Sequence, residues 1–301
     1  MIGYLILVHR YPAQFKRLFK AIYSSQNHYV VHVDKNSGAE LEAEIREFLR
    51  TYTNATMIRS EKAIWGGYSL VDAELRGMQR LLEMGDWSHF INLSGQDFPL
   101  KSQKQITDFL DANLNREFIK VLDQDQHRPD TMHRVSEYVT ELDESIERTT
   151  RSRPFLPDAT PYIGNQWMIV TRAFCEFVCH DPSVDRYKAF YENTFIADEG
   201  FFQTVMMNCE IESEIVSDDM RMIDWIPDGD IKLRPRTYQN ADAVDLKASS
   251  NLFARKFDQT VDGEILVVLE RHLAKQLATY VDNPRRVPSN ALSPSTLGAA
   301  A

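Results

Sequence analysis

Apolar residues fall along this chain in short unbroken runs, and each run stops at a polar loop. Tyr4 to Val8 is apolar throughout, as expected of a strand covered on both faces. Tyr29 to Val33 predicts a second strand, ending in Asp34. Between them, Phe15, Leu18, Phe19 and Ile22 recur at the spacing of one helical face. Leu41, Ile45, Phe48 and Leu49 mark a second helix, and Ala55 to Ile58 a short third strand. Ser69 reads as the N-cap of a long helix carrying Val71, Leu75, Met78, Leu81 and Leu82. Phe90 to Leu93 is a fourth strand, followed by a helix with Ile106, Phe109 and Leu110 and a strand from Phe118 to Leu122. Strand–helix alternation predicts an α/β fold with a mainly parallel central sheet flanked by helices. Right-handed crossovers then bring the loops after Val8, Val33, Ile58 and Leu93 to one rim.

The pattern changes after Leu122. Residues 123 to 163 are polar, rich in Arg, Asp and Thr, and punctuated by Pro129, Pro154, Pro157 and Pro161. This stretch reads as an excursion with at most one helix. Strand character returns at Gln166 to Val170 and, briefly, at Met222 to Trp225. Helical stretches hold Cys175 to Val178, Tyr187 to Tyr191 and the segment opened by Ala197-Asp198-Glu199-Gly200-Phe201-Phe202. A closing helix carries Ile265, Val268, Leu269 and Leu273. From about Asn283 the chain is Pro-, Ser- and Ala-rich, and a flexible tail is expected over 283–301.

Composition narrows the classes. The 301 residues are 43% hydrophobic and 26% charged, which suits a soluble globular protein, and the net charge of -10 disfavours general binding to nucleic acid. Three cysteines do not build a disulfide framework. Cys175 and Cys179, four apart in an apolar pattern, read as buried thiols rather than metal ligands. The N-terminal apolar run is too short for a transmembrane segment and lacks the basic start of a leader. A cytoplasmic protein is expected, with peripheral contact at the inner membrane face left open.

Candidate chemistry gathers at the strand ends. Asp34 either caps its loop or accepts hydrogen bonds from a ribose or base. Asp97, in Ser94-Gly95-Gln96-Asp97-Phe98-Pro99, either caps the turn after the fourth strand or faces a ligand. No glycine-rich dinucleotide or phosphate-binding motif is present. Asp123-Gln124-Asp125 and Asp228-Gly229-Asp230 have the spacing to hold a divalent cation, although turns explain both. Glu199 sits at a helix start, where a carboxylate stays ionised and is suited to take a proton from a sugar hydroxyl; an ordinary acidic first turn is the alternative. Arg234, Arg236, Arg255 and Lys256 are either solvated surface or a cationic set for a departing diphosphate.

Taken in order, several stretches resemble glycosyltransferase family 14, the core-2/I-branching β-1,6-N-acetylglucosaminyltransferases and peptide O-xylosyltransferases. They are Tyr4-Leu5-Ile6-Leu7-Val8-His9, His32-Val33-Asp34, Ile91 through Lys101, Asp198-Glu199, and Leu252 through Asp258. The resemblance implies a GT-A-like domain over 1–282, with a nucleotide-binding half to about 122 and an acceptor-binding half over 123–282. It implies inverting transfer from a UDP-sugar to a hydroxyl of a glycan, polysaccharide or glycoside, with no divalent metal or other cofactor. N-acetylglucosamine is the donor sugar favoured here and xylose the second. By match to the family's motifs, Glu199 is the catalytic base, Lys256 and Arg236 (or Arg234) meet the diphosphate, and Asp34 and Trp65 meet the nucleotide. Asp97 shapes the donor pocket and Trp225 meets the acceptor. The compact, anchorless form points to a bacterial member. A metal-dependent transferase using Asp123 and Asp125, or a non-catalytic UDP-sugar- or glycan-binding protein, is the alternative.

Overall fold

The computed structural model of the chain describes residues 1–229 and 232–282, so the expected tail and Asp230 lie outside the described residues. The strands, in chain order, are β1 (Ile2–Val8), β2 (His28–Val33), β3 (Ala55–Met57), β4 (His89–Ser94), β5 (Asp97–Pro99), β6 (Arg116–Ile119), β7 (Leu122–Asp123) and β8 (Glu137–Glu141). They continue with β9 (Ile146–Ser152), β10 (Tyr162–Ile163), β11 (Met168–Thr171), β12 (Glu214–Val216), β13 (Arg221–Ile223), β14 (Trp225–Asp228), β15 (Lys232–Pro235) and β16 (Phe253–Arg255).

Seven strands form the central sheet, in the order β12-β6-β11-β4-β1-β2-β3. All pairings are parallel except those of β11, which runs antiparallel to both β4 and β6. Alternation along β1 shows why both faces are covered. Tyr4, Ile6 and Val8 enter one core with Phe15, Phe19, Phe98 and Leu269; Leu5 and Leu7 enter the other with Val71, Phe174 and Phe201. Successive strand residues point to opposite faces, so a strand between two cores must be apolar at every position.

A second sheet of three strands, β13-β16-β5, closes the molecule near the rim. It joins β5, just past β4, to β16 near the end of the chain, with Arg255 opposite Asp97 and Ala254 opposite Phe98. The last helix, Glu264–Asp282, then packs back on the first part of the fold. Arg17 grips Glu270 through two nitrogens at 2.7 and 2.9 Å. The Ser102 amide donates to Gln276 at 2.8 Å.

Two expectations need correction. The stretch 123–163 is not a plain excursion with one helix. It holds two short helices, Gln124–His127 and His133–Ser136, and the β8–β9 hairpin. Among the β8 side chains only Val139 is buried, so the hairpin lacks the apolar run that announces a strand. Ser69 is not an N-cap but the first helical residue of Ser69–Met84. Its hydroxyl accepts from the Ile64 amide at 2.8 Å and braces the preceding loop instead.

Candidate active site

β1, β2 and β4 end at the same rim, and the loops beyond them carry the polar residues. At the end of β1, Arg10 donates to Gln96 through two nitrogens at 3.3 and 2.8 Å, while Gln96 donates to the Phe257 carbonyl at 3.1 Å. Lys256 lies in the same neighbourhood. Its ammonium is lowered from the usual lysine range first by burial, then by the charges of Arg10 and Arg255; Asp258 opposes them and Arg234 adds to them. Lys256 makes no ion pair among the described residues. His9 is pushed down by the side it buries and then by Arg10, Lys256 and Arg255. The rim therefore concentrates positive charge, in a chain that is acidic as a whole.

Arg236 belongs to a different arrangement. Its guanidinium donates to Asp224 at 2.6 Å and to both oxygens of Asp242 at 3.0 and 2.9 Å. Those bonds, chiefly the Asp242 pair, raise it above the usual arginine range. Both of its faces for an anion are taken by carboxylates. Arg234 is more available: among the described residues its one ion pair is a 3.6 Å contact to Asp228, and it is half exposed.

Asp34 accepts from the Asn36 amide at 3.0 Å and the Ala63 amide at 3.2 Å with one oxygen, Oδ1. It caps its own turn and also fixes the loop that carries Trp65. That indole is 65% exposed and meets Phe195 edge-on at 5.8 Å. The loop is held from the other side as well. The Ile196 amide donates to the Gly66 carbonyl at 2.7 Å, and Glu141 of the hairpin accepts from the Ser69 amide at 3.0 Å. Gly66 is required here, because its φ of 84° is left-handed and a Cβ would stand 2.8 Å from the Phe195 ring.

Asp97 is wholly enclosed. One oxygen accepts from the Ser94 amide at 2.9 Å and the other from Arg255 at 2.8 Å. Arg221, also buried, lies 3.8 Å away through Nε and donates to the Asn92 carbonyl. Both guanidinium groups lie over the Trp167 ring, Arg255 at 4.2 Å and Arg221 at 4.9 Å. Asp97 thus touches the rim through Arg255, the residue next to Lys256.

Glu199 closes a single 3-10 turn, Ala197–Glu199, ahead of the helix Phe201–Asn208. Its Oε2 accepts from Arg134 at 2.7 Å, in a partly exposed pair. Oε1 takes no protein hydrogen bond among the described residues. The Glu199 carbonyl accepts from the Gly164 amide at 2.8 Å. Gly164 in turn lines a cleft of about 350 Å³ with Arg128, Asn165, Asp219 and Trp225. An aromatic face and hydrogen-bonding side chains, among them Arg128, whose guanidinium feels the charge of Glu199, suit a sugar-like molecule. A Cβ on Gly164 would fall 1.8 Å from the Lys120 carbonyl oxygen, which is backbone. Gly164→Ala is therefore expected to lower stability by at least the roughly 1–3 kcal/mol of ordinary overpacking. It should also displace the Glu199 turn, and a melting curve recorded beside a turnover assay checks both.

Sequence reasoning missed Arg134, Arg221, Arg10 and Trp167. Only Arg10 had a signal, its place directly after β1 at the rim. Asp123, the proposed metal ligand of the alternative reading, caps Gln124–His127 by accepting from the Gln126 amide at 3.0 Å. Among the described residues there is no cluster of three metal-ligating side chains. No helix among them is long and apolar enough to cross a membrane.

This chain belongs to the Core-2/I-Branching enzyme family, whose model matches residues 2–251. It is similar to Xylosyltransferase 2 of Canis lupus familiaris, 33% identical over 291 residues, covering 90% of this chain and 33% of that protein. It is also similar to Xylosyltransferase 1 of Rattus norvegicus, 30% identical over 295 residues, with 90% and 35% covered. The chain spans about a third of the length of these relatives. Among solved structures it matches the galactosyltransferase LgtC in complex with donor and acceptor sugar analogues. There the TM-score is 0.36 and the identity 13%, over 66% of this chain and 68% of the other.

Proposed function

We propose that this protein is an inverting glycosyltransferase that moves a sugar from a UDP-sugar to a hydroxyl of a glycan, polysaccharide or glycoside acceptor. The observation that carries the reading is a carboxylate held through one oxygen by Arg134, together with a lysine that makes no ion pair among the described residues and stands in a cationic rim. The free oxygen of Glu199 takes the proton of the attacking hydroxyl. Arg134 holds the other oxygen, which orients the carboxylate. Lys256, with Arg10 and Arg234 close by, neutralises the charge that grows on the departing diphosphate. Arg234 suits this role better than Arg236, whose guanidinium is committed to Asp224 and Asp242. Trp225 offers a face to the acceptor sugar, and Trp65 stands at the donor side on the loop braced by Asp34. Asp97 serves by fixing Arg255.

The similarity to proteins named xylosyltransferases supports xylose as donor sugar ahead of N-acetylglucosamine. A calorimetric screen of nucleotide sugars, with and without EDTA, tests the proposal. Binding of UDP-xylose or UDP-N-acetylglucosamine that survives EDTA is the expected result. Lys256→Ala should weaken that binding and lower turnover by roughly 10²–10³-fold, the size seen when one charge-stabilising donor is removed. Loss of all binding in EDTA would favour the metal-dependent alternative. Silence towards every uridine nucleotide would overturn the proposal.

A further inference from the structure

Leu122, Ile163, Gly164 and Asn165 line one side of the cleft that also holds Trp225. They lie in or just after the ribbon of β7 and β10, where Tyr162 stands opposite Asp123 and Ile163 opposite Leu122. Among the described residues no third strand joins this ribbon. The helix Phe201–Asn208 takes that place and binds the strand edge with side chains. Asn208 accepts from the Thr160 amide and donates to the Thr160 carbonyl, both at 2.8 Å. Four residues back, the Thr204 hydroxyl accepts from the Tyr162 amide at 3.0 Å and donates to the Tyr162 carbonyl at 3.2 Å. The third rung is the Gly164 amide on the Glu199 carbonyl at 2.8 Å, and Gln203 donates to the Asn165 carbonyl at 2.7 Å. The two periods match: four helical residues rise about 6 Å, and two strand residues about 6.6 Å. Side chains four apart on the helix therefore meet alternate residues of an extended strand. Thr204, the middle rung, has no spare capacity. A hydroxyl donates once and accepts twice. Having donated to the Tyr162 carbonyl, it accepts from the Tyr162 amide and from the Tyr191 hydroxyl at 2.7 Å, in a wholly buried position.

We propose that Thr204 is a positioning residue for the transfer: with Asn208 it fixes the register of residues 160–164 on the helix, and so the place of the cleft wall relative to the turn that carries Glu199. The consequence for turnover rests on the reading of Glu199 as base and of the cleft as the acceptor side. Without the Thr204 hydroxyl the middle rung opens. The wall is then free to shift against the helix, while Glu199 keeps its own turn and its bond from Arg134. Lys256, which follows β16, stands on a different element, so the hold on the donor diphosphate is not disturbed. The hydroxyl thus acts on the alignment of acceptor and base, and not on donor capture.

Comparison of Thr204→Val, Thr204→Ser and Asn208→Ala with the parent chain and with Glu199→Gln tests the ladder. UDP-xylose is the donor and a set of p-nitrophenyl glycosides the acceptors. Calorimetry with UDP counts the competent molecules in each sample, and transfer is expressed per competent molecule. Amide exchange over residues 160–165, followed by mass spectrometry, reads the rungs themselves. Thr204→Val keeps the branched shape and loses the hydroxyl. It should lower kcat by up to roughly 10²-fold, the scale of an ångström's misplacement, with UDP affinity equal to that of the parent and faster exchange over 160–165. Thr204→Ser, which restores the hydroxyl, should recover most of the turnover. Parent-like turnover or parent-like exchange in Thr204→Val would overturn the proposal, as would a Thr204→Ser that recovers nothing. If Thr204→Val does not fold, Asn208→Ala decides by the same readings, since it opens the outer rung at a partly exposed position. A parent chain that binds no uridine nucleotide or transfers to none of the glycosides, or a Glu199→Gln that turns over like the parent, defeats the functional reading, and this proposal with it.

Discussion

Replacing Glu199 by Gln is expected to cut sugar transfer by roughly 10²–10⁴-fold, the contribution of a positioned general base, while UDP binding stays near that of the parent chain. The two readouts separate because the base and the cationic rim lie on different elements. Glu199 is on the turn before Phe201–Asn208, whereas Lys256 follows β16. A Gln side chain keeps an oxygen for Arg134, so the local fold should hold. The existing Glu199–Arg134 pair, partly exposed, contributes little to stability in any case. Single-turnover transfer assays with calorimetry of UDP on the same sample give the comparison. A variant that turns over like the parent would remove Glu199 from the mechanism.

Asp97→Ala should be the most destabilising single change at the rim, by about 3–5 kcal/mol, the cost of removing one partner from a buried ion pair. Asp97 is the carboxylate between two guanidinium groups, and Arg221 has no solvent to turn to. Burial already lowers Arg221 below the usual arginine range, and the charge of Asp97 is the main opposing influence. The substitution also strips the acceptor from the Ser94 amide. Asp97→Asn, which retains an oxygen for that amide but loses the charge, should fall between the two. Urea denaturation of the three proteins gives the order, and an Asp97→Ala chain as stable as its parent would contradict the buried pair.

The elements legible in the sequence were those whose residues obey one local rule. β1, β2 and β4 are continuous apolar runs because both faces are covered, and the helix Pro12–Ile22 shows its buried face at helical spacing. The direction of β11 was not legible, since an apolar run reads the same in either sense along the sheet. The β8–β9 hairpin stayed hidden because it buries so little. The small sheet β13-β16-β5 was hidden for another reason: its three-residue strands pair residues far apart in sequence, Ala254 with Met222 and with Phe98, and no short window contains both partners. The site divided in the same way. Glu199 and Lys256 stand in recognisable stretches, but Arg134 approaches Glu199 from a polar segment with no pattern of its own. Arg236 looked like Arg234 in sequence, and only the positions of Asp224 and Asp242 distinguish them.

The pairing of β5 with β16 also bears on how the molecule is made. A chain emerging from the ribosome folds its N-terminal parts first, and β1, β2 and β4 can assemble early. β5 cannot find its neighbour until Phe253–Arg255 has been synthesised, and Lys256 arrives in the same stroke. Before that moment Asp97 lacks its ion-pair partner Arg255, and the rim lacks its lysine. The rim proposed to meet the diphosphate therefore stays incomplete until Lys256 has been made, and its positive charge arises together with the closing of the β13-β16-β5 sheet.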